Sequence, residues 1–177
     1  MPRLFTAMEI PADVAEALAA TRGGLGGARW IDPEDYHVTL RFIGDVDART
    51  ADEIADSLWD VHRPALAMQF EGLSWFGGDK PRAIVAKVKP SPGLIELQSE
   101  HERRMRRIGL APETRNFLPH VTLVRLRSAS PLAVSDYLGS RGALDAPVFE
   151  AKQFVLYSAK DLVGGGPYIV EAAYPLR

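Results

Sequence analysis

The chain has 177 residues, no cysteine, and a formal net charge of −2 from 21 lysines and arginines against 23 aspartates and glutamates. This length fits one domain or two small lobes that share a core, and a content of 46% hydrophobic and 25% charged residues is typical of globular proteins. Disordered, collagen-like and coiled-coil chains are therefore excluded. Without cysteine there can be no disulfide, thiolate metal site or cysteine nucleophile, so other side chains must carry any chemistry.

Charge and hydropathy narrow the class of protein further. A net charge of −2 argues against a protein that coats nucleic acid, because such binding requires many neutralised phosphates, but recognition of one phosphate or one RNA end remains open. The N-terminal apolar stretch is interrupted by Glu9 and Pro11, and no apolar run approaches the roughly 18 residues of a membrane span. We therefore expect a soluble, cytoplasmic protein without membrane contact. We also expect a monomer.

The first sixty residues predict two strands and two helices. Residues 4–10 are apolar and aromatic and stop at Pro11, which indicates a short strand, and the apolar spacing over 12–20 predicts a helix. Glycines at 23, 24, 26 and 27 then predict a flexible loop. Residues 37–43, rich in β-branched and aromatic side chains, predict a second strand, and apolar residues recur at helical spacing over 50–61.

The remaining sequence predicts further strands around two more helices. Residues 66–76 and 82–89 indicate strands joined by the turn sequence GGDKP, so we expect a hairpin. A helix over 93–108 ends at Gly109, and a strand over 120–126 precedes a short helix over 131–138. Two last strands are expected near 148–157 and 168–174. Because the elements alternate without a regular parallel-crossover rhythm, the predicted class is mixed α+β.

One tetrapeptide occurs twice. HVTL stands at 37–40 and again at 120–123, about half a chain length apart. Average residue usage gives a chance second copy about one time in a thousand. Each copy follows a proline-containing segment and precedes a predicted helix. We therefore expect two duplicated halves with equivalent strands, related by an approximate two-fold axis.

The repeat also indicates a chemistry. On a strand successive side chains alternate between faces, so His37 and Thr39 share one face and the two apolar residues of the motif share the other. If the polar faces of both copies converge, two imidazoles and two hydroxyls meet in one cleft without need of a metal. Such a cleft suits displacement at phosphorus, with one histidine as base and the other as acid. The alternative is that both copies are ordinary strands with satisfied polar residues.

These residues resemble the 2H phosphoesterases, a family named for two His-x-Thr/Ser-x motifs. Within it, they are similar to the bacterial and archaeal RNA 2′,3′-cyclic phosphodiesterases formerly called 2′-5′ RNA ligases. The resemblance covers nearly the whole chain: RLFTAMEIP, Trp30 and the later HVTLRFIGDV, NFLPHVTLVR at 116–125, FVLYSAK, and GPYIVEAAYPL. It implies a single bilobal domain over 1–177 with one motif in each lobe, antiparallel sheets lining a central cleft, and helices outside.

The resemblance also implies an activity and residue roles. The activity is opening of a 2′,3′-cyclic phosphate at an RNA 3′ end to a 2′-phosphate, with no metal or other cofactor. His37 would be the proton donor and His120 the proton acceptor. Thr39 and Thr122 would bind the phosphate oxygens, and Phe42 would contact the base or ribose.

Two arginines are candidates for the positive charge of the cleft. The resemblance assigns phosphate binding to Arg125, but Arg125 stands five residues after His120, a spacing that turns it away from the histidine face of a regular strand. Only a β-bulge or the end of the strand could redirect it. Arg41, four residues after His37, has the matching parity. Spacing alone therefore predicts Arg41 as the cleft cation, with a salt bridge or a solvated arginine as the alternative.

Other residues have structural explanations beside functional ones. Trp75 and Phe76 could stack on a base or pack within the hairpin. We expect His101 to be buried on the apolar stripe of its helix and His62 to be exposed at a helix end. An arginine cluster could bind RNA or form a solvated face near a helix C-terminus: Arg103, Arg104, Arg106 and Arg107.

Three functional alternatives stay open at this stage. The same site could ligate RNA if a 5′-hydroxyl replaced water as the attacking group. It could bind RNA ends without turnover. A metallohydrolase is the third possibility, although the histidines are far apart in sequence and no carboxylate shares the His-x-Thr spacing.

Overall fold

The computed structural model describes residues 1–159 and 167–177. In these residues ten strands and four α-helices follow one another in this order: β1 (Arg3–Glu9), α1 (Ala12–Ala19), β2 (Ala28–Trp30), β3 (His37–Asp45), α2 (Ala48–Leu58), β4 (Leu66–Met68), β5 (Phe70–Phe76), β6 (Ala83–Val88), α3 (Pro92–Ile108), β7 (His120–Leu126), α4 (Pro131–Arg141), β8 (Phe149–Ala151), β9 (Gln153–Ala159) and β10 (Tyr168–Pro175). Lys160 and Gly166, at the edges of two segments that carry the resemblance, lie outside the described residues. No described helix is both long and apolar enough to cross a membrane.

The strands form two four-stranded sheets and a two-stranded ribbon. One sheet has the order β10-β9-β1-β3, the other β2-β7-β6-β5, and β4 pairs with β8. Every strand pair that the structure describes is antiparallel. The predicted mixed α+β class with antiparallel sheets is therefore confirmed, and the two HVTL strands, β3 and β7, lie in different sheets.

Local sequence explains where the helices begin and end. Asp47, Ser91 and Ser130 precede α2, α3 and α4, and each side chain accepts a hydrogen bond from a backbone N–H of the first turn. The predicted stop of α3 at Gly109 is confirmed, because this glycine adopts the left-handed conformation, with φ of 111°, that favours glycine after a helix.

The prediction of one strand over 66–76 is wrong. The segment forms β4 and β5, which pair with different partners, β8 and β6. The chain leaves the ribbon at Gln69, whose carbonyl accepts a hydrogen bond from the backbone N–H of Lys89, and then enters the second sheet. Residues 148–157 divide into β8 and β9 in the same way. The hairpin predicted around GGDKP is confirmed by the pairing of β5 with β6.

The main hydrophobic core lies on the faces of both sheets that carry the apolar residues of the repeat. Val38, Leu40, Val121 and Leu123 are all buried in one cluster with side chains of α1, α2 and α3. A second cluster fills the space between α4 and the β2-β7-β6 part of the second sheet. The predicted alternation is therefore confirmed over each HVTL: the apolar side chains enter the core and leave the opposite face to histidine and threonine.

His101, predicted to be buried, lies on α3 with a fully buried imidazole. Its Nδ1 is 2.8 Å from the hydroxyl oxygen of Thr6 on β1, and its ring packs against Phe154 at a centroid distance of 4.6 Å. No hydrogen-bond partner for its Nε2 lies among the described residues. Burial lowers the pKa of His101 from its ordinary 6.5 to about 3, so the folded protein holds this ring neutral.

Stability should therefore fall on mild acidification. Between pH 6.5 and 3 the unfolded chain binds a proton at this histidine and the folded protein does not. The contribution of His101 to the free energy of unfolding is therefore complete above pH 6.5 and is lost as pH falls. In urea unfolding, wild type should lose on the order of 2 kcal/mol more than Thr6→Val/His101→Leu between about pH 6.5 and 5. The double variant removes both hydrogen-bonding partners together, which is usually well tolerated. Parallel pH profiles for the two proteins would contradict this assignment.

Candidate functional site

The two histidines of the repeat occupy equivalent places in the two sheets. Each is the first residue of its strand, and each strand pairs with a central neighbour: His37 lies opposite Glu9 on β1, and His120 lies opposite Lys87 on β6. Both rings are partly buried. The duplication visible in the sequence therefore extends to the position of each histidine within its sheet.

The same hydrogen bond orients both rings. Nδ1 of His37 is 2.8 Å from the carbonyl oxygen of Asp35, and Nδ1 of His120 is 2.5 Å from the carbonyl oxygen of Leu118. A carbonyl can only accept, so Nδ1 carries the hydrogen in each ring. In the neutral imidazole Nε2 is then an unprotonated base, and in the imidazolium it is a proton donor.

Aromatic rings surround both imidazoles. The His37 ring lies 5.0 Å from that of Phe5 and 5.1 Å from that of Tyr168, and the His120 ring lies 4.8 Å from that of Phe76. The contacts with Tyr168 and Phe76 are edge-to-face. These rings remove water from the imidazoles, which disfavours their charged forms.

Burial and positive charge lower both histidine pKa values. Burial is the largest cause for His37, whose pKa falls to about 4; the Asp35 carbonyl opposes this shift, and the charges of His120 and Arg125 add to it. Burial also lowers the pKa of His120, opposed by the Leu118 carbonyl and assisted by Arg125. The strands β3 and β7 contact each other although they belong to different sheets, and the charge of Arg125 acts on both imidazoles, so the two histidines and Arg125 belong to one site.

A β-bulge explains how Arg125 reaches the histidine face. On β7, Thr122 pairs with Val85 and Arg125 pairs with Ala83, so three steps on β7 match two steps on β6. The additional residue at Leu123 reverses the alternation, and Arg125 therefore shares the face of Thr122. Its side chain is exposed. The β-bulge that Arg125 needs in order to reach the histidine face is therefore present.

The first motif contains the same bulge. On β3, Thr39 pairs with Ala7 and Phe42 pairs with Phe5, which leaves Leu40 as the additional residue. Phe42 is therefore the counterpart of Arg125, five residues after its histidine and on the same face as Thr39. Phe42 is 42% exposed, which is unusual for phenylalanine and leaves an apolar surface at the edge of the site.

The prediction that Arg41 supplies the cleft charge is wrong. The bulge turns Arg41 to the core face of β3, where only 6% of it is exposed. Its Nε donates to Glu102 Oε2 at 2.5 Å, and its other nitrogens donate to the carbonyls of Phe42 and Ala111. Arg41 is thus a buried structural cation that ties β3 to α3.

The two threonines leave hydroxyl groups for a ligand. Thr39 and Thr122 are partly buried on the histidine face. Within residues 1–159 and 167–177, neither hydroxyl has a protein hydrogen-bond partner. A hydroxyl two residues after each histidine on the same face can donate to an oxygen of an anion that the histidine also contacts.

The other candidate residues divide between structure and site. Trp75 donates its indole N–H to the carbonyl of Gly78 within its own hairpin, whereas Phe76 faces His120. In the arginine cluster, Arg104 binds Glu100 and Arg106 binds Glu102, while Arg103 and Arg107 are exposed. His62 is exposed as predicted. The described residues contain no group of three or more His, Asp or Glu side chains able to hold a metal ion.

Sequence reasoning missed the aromatic residues around His37. Phe5 lies on β1, Tyr157 on β9 and Tyr168 on β10, and all three rings lie within 6.0 Å of the imidazole, centroid to centroid. These strands come from opposite ends of the chain and meet only through sheet pairing. The available signal was the aromatic content of the segments that carry the resemblance.

Comparison with known proteins defines the class to which this architecture belongs. A family model described as LigT-like phosphoesterase matches residues 8–85 and 87–168. The chain belongs to this family.

Named relatives and solved structures agree with this assignment. An RNA 2′,3′-cyclic phosphodiesterase of Aeropyrum pernix is 36% identical over 58% of this chain and 59% of its own length, and one of Archaeoglobus fulgidus is 26% identical over 87% and 92%. Crystal structures of TT0787 from Thermus thermophilus and of E. coli LigT complexed with 3′-AMP share the fold, with TM-scores of 0.83 and 0.76. Sequence identities are 22% and 23%, and each comparison covers at least 98% of both chains.

Proposed function

We propose that this protein opens 2′,3′-cyclic phosphates at RNA 3′ ends by hydrolysis and produces a 2′-phosphate. The observation that carries the proposal is the contact between two equivalent His/Thr strands, β3 and β7, which come from different sheets and carry one exposed arginine, Arg125, on the histidine face. Relatives in the same family named RNA 2′,3′-cyclic phosphodiesterase support the choice of substrate.

The proposed reaction uses both imidazoles at one phosphorus. Nε2 of His120 accepts a proton from water while the water oxygen bonds to phosphorus, and the bond between phosphorus and O3′ breaks. Nε2 of protonated His37 gives its proton to the departing O3′, which leaves a 2′-phosphate and a free 3′-hydroxyl. Thr39, Thr122 and Arg125 hold the non-bridging oxygens, and the arginine stabilises their developing negative charge.

Both histidines have lowered pKa values in the ligand-free protein, so the protonated donor is scarce at neutral pH. The profile of kcat/KM against pH reports the free enzyme and should be bell-shaped, with apparent constants that belong to the pair. Because both pKa values are lowered, activity should already fall with rising pH below the ordinary histidine value of 6.5, as the proton donor is lost. Kinetics on a cyclic-phosphate RNA measured across pH check this expectation.

Arg125→Gln tests the cause of these lowered values. Removing the positive charge raises the pKa of both histidines, so both limbs of the profile should move to higher pH. The loss of a charged hydrogen bond to phosphate should also lower kcat/KM by about 10–100-fold. Arg103→Gln, on the exposed face of α3, is the matched control and should leave the profile in place. An unmoved profile in Arg125→Gln would contradict the proposed position of this arginine.

The wider organisation extends the proposal. Residues 1–177 form one domain of two similar lobes, in which β9-β1-β3 corresponds to β5-β6-β7 and each central strand pairs with an HVTL strand. The site lies between the lobes and needs both motifs. The protein acts as a cytoplasmic monomer on RNA ends and uses no metal.

One experiment tests the function against its alternatives. An RNA oligonucleotide ending in a 2′,3′-cyclic phosphate is incubated with purified protein, with and without chelator, and with and without a 5′-hydroxyl RNA. We expect conversion to the 2′-phosphate in every condition. Joined RNA would indicate ligation, binding without turnover a non-catalytic RNA-end binder, and loss of activity in chelator that zinc restores a metallohydrolase.

A further inference from the structure

A second arginine stands beside Arg125. The short strand β2 pairs with β7 so that Arg29 lies directly opposite Arg125. The neighbours of Arg29 on β2, Ala28 and Trp30, pack in the cluster beneath α4, where Trp30 lies 6.1 Å from the ring of Tyr137. Because side chains alternate along a strand, Arg29 projects from the opposite face, which is the face of Arg125 and of the repeat histidines.

This pair of arginines is unfavourable for the isolated protein. Like charges directly opposite each other on antiparallel strands repel. Both side chains are exposed, and neither forms an ion pair with a carboxylate in the portion of the chain described by the structure. Negative charge bound to both guanidinium groups would offset this repulsion, and phosphate oxygens suit the fork of donors on arginine.

The two arginines differ in their relation to the histidines. Arg125 stands on β7, the strand that carries His120, whereas Arg29 stands on the neighbouring strand β2, on the side of β7 away from β6. Arg29 is thus farther from the reacting centre, displaced by one strand spacing of about 4.8 Å. The cyclic phosphate carries one negative charge, and Arg125 with two threonine hydroxyls already faces it. The charge of Arg29 therefore fits a different phosphate on the same ligand.

We propose that Arg29 binds the phosphodiester on the 5′ side of the terminal nucleotide, so that the site favours an RNA chain over a cyclic mononucleotide. This inference rests on the proposed function and names its substrate class. A net charge of −2 is compatible with it, because recognition requires two phosphates and not a long basic groove.

The test compares Arg29→Gln with wild type on three substrates. These are a 2′,3′-cyclic mononucleotide, an oligonucleotide ending in the cyclic phosphate, and the same oligonucleotide with an uncharged methylphosphonate at the linkage before the terminal nucleotide. For the charged oligonucleotide, kcat/KM should fall about 10-fold, mainly through KM, because one charged contact is lost. The mononucleotide and the methylphosphonate should be unaffected. Arg103→Gln should behave as wild type on all three substrates.

Binding supplies a readout that does not depend on turnover. Fluorescence anisotropy with an RNA ending in a 3′-phosphate measures this binding. Arg29→Gln should weaken binding of the charged chain but not of the chain with the methylphosphonate. The slope of log K against log salt concentration should become shallower by about one, the contribution of one phosphate contact. If wild type binds with this pattern yet hydrolyses nothing, the proposed function fails and the inference stands. Equal losses on all substrates, or no loss on any, would overturn the role of Arg29. The thermal stability of Arg29→Gln without RNA should equal or exceed that of wild type, because the repulsion between Arg29 and Arg125 is removed.

Discussion

His37→Asn and His120→Asn are each expected to lower kcat on a cyclic-phosphate oligonucleotide by about 10²–10⁴-fold. Asparagine keeps an amide N–H near the position of Nδ1, so the hydrogen bond to the carbonyl of Asp35 or Leu118 can persist while Nε2 is lost. His62→Asn, at an exposed histidine outside the site, is the control and should retain full activity. Gel-resolved conversion of the labelled oligonucleotide measures all three.

The double variant adds a sharper expectation. Groups that act as a unit in one step are not additive, so His37→Asn/His120→Asn should be little slower than the slower single variant. Losses that multiply fully would indicate that each histidine contributes independently. Activity retained in either single variant would contradict acid–base catalysis by the pair.

Arg41→Met has the largest expected effect on stability. The change removes the partner of Glu102 and leaves the carbonyls of Phe42 and Ala111 without their donors beside the core. Breaking a buried pair from one side costs roughly 3–5 kcal/mol, and the lower end applies because Arg106 still binds Glu102. Urea unfolding measures the loss.

The matched control for this prediction is Arg49→Met. Arg49 pairs with Glu53 on the surface of α2 and is 90% exposed, so its loss should cost less than about 1 kcal/mol. If Arg41→Met were as mild as Arg49→Met and instead reduced RNA binding, Arg41 would belong to the cleft, as the spacing alone had predicted.

The case of Arg41 shows what the sequence could and could not predict. The repeat correctly predicted two strands in which apolar side chains enter the core and histidine and threonine share the other face. The bulges at Leu40 and Leu123 were not readable, because a bulge depends on how a strand pairs with its neighbour and not on its own letters. One additional residue in each strand exchanges the faces of Arg41 and Phe42, and redirects Arg125.

Long-range pairing accounts for the other omissions. The single strand expected over 66–76 divides because β8, more than seventy residues later, pairs with β4. The aromatic surroundings of His37 arise because β9 pairs with β1, which joins the two ends of the chain in one sheet. Arg29 lies beside Arg125 because it belongs to β2, a three-residue strand that is too short to detect by periodicity.

The most direct test of the two-histidine account is a substrate in which sulfur replaces the 3′-oxygen of the cyclic phosphate. A thiolate leaves without a proton, so the donor becomes unnecessary while the base is still required. His37→Ala should hydrolyse this substrate within about 10-fold of the wild-type rate, and His120→Ala should remain about 10²-fold or more below it. Recovery of His120→Ala instead of His37→Ala would reverse the assigned roles, and recovery of neither variant would contradict proton donation by a repeat histidine.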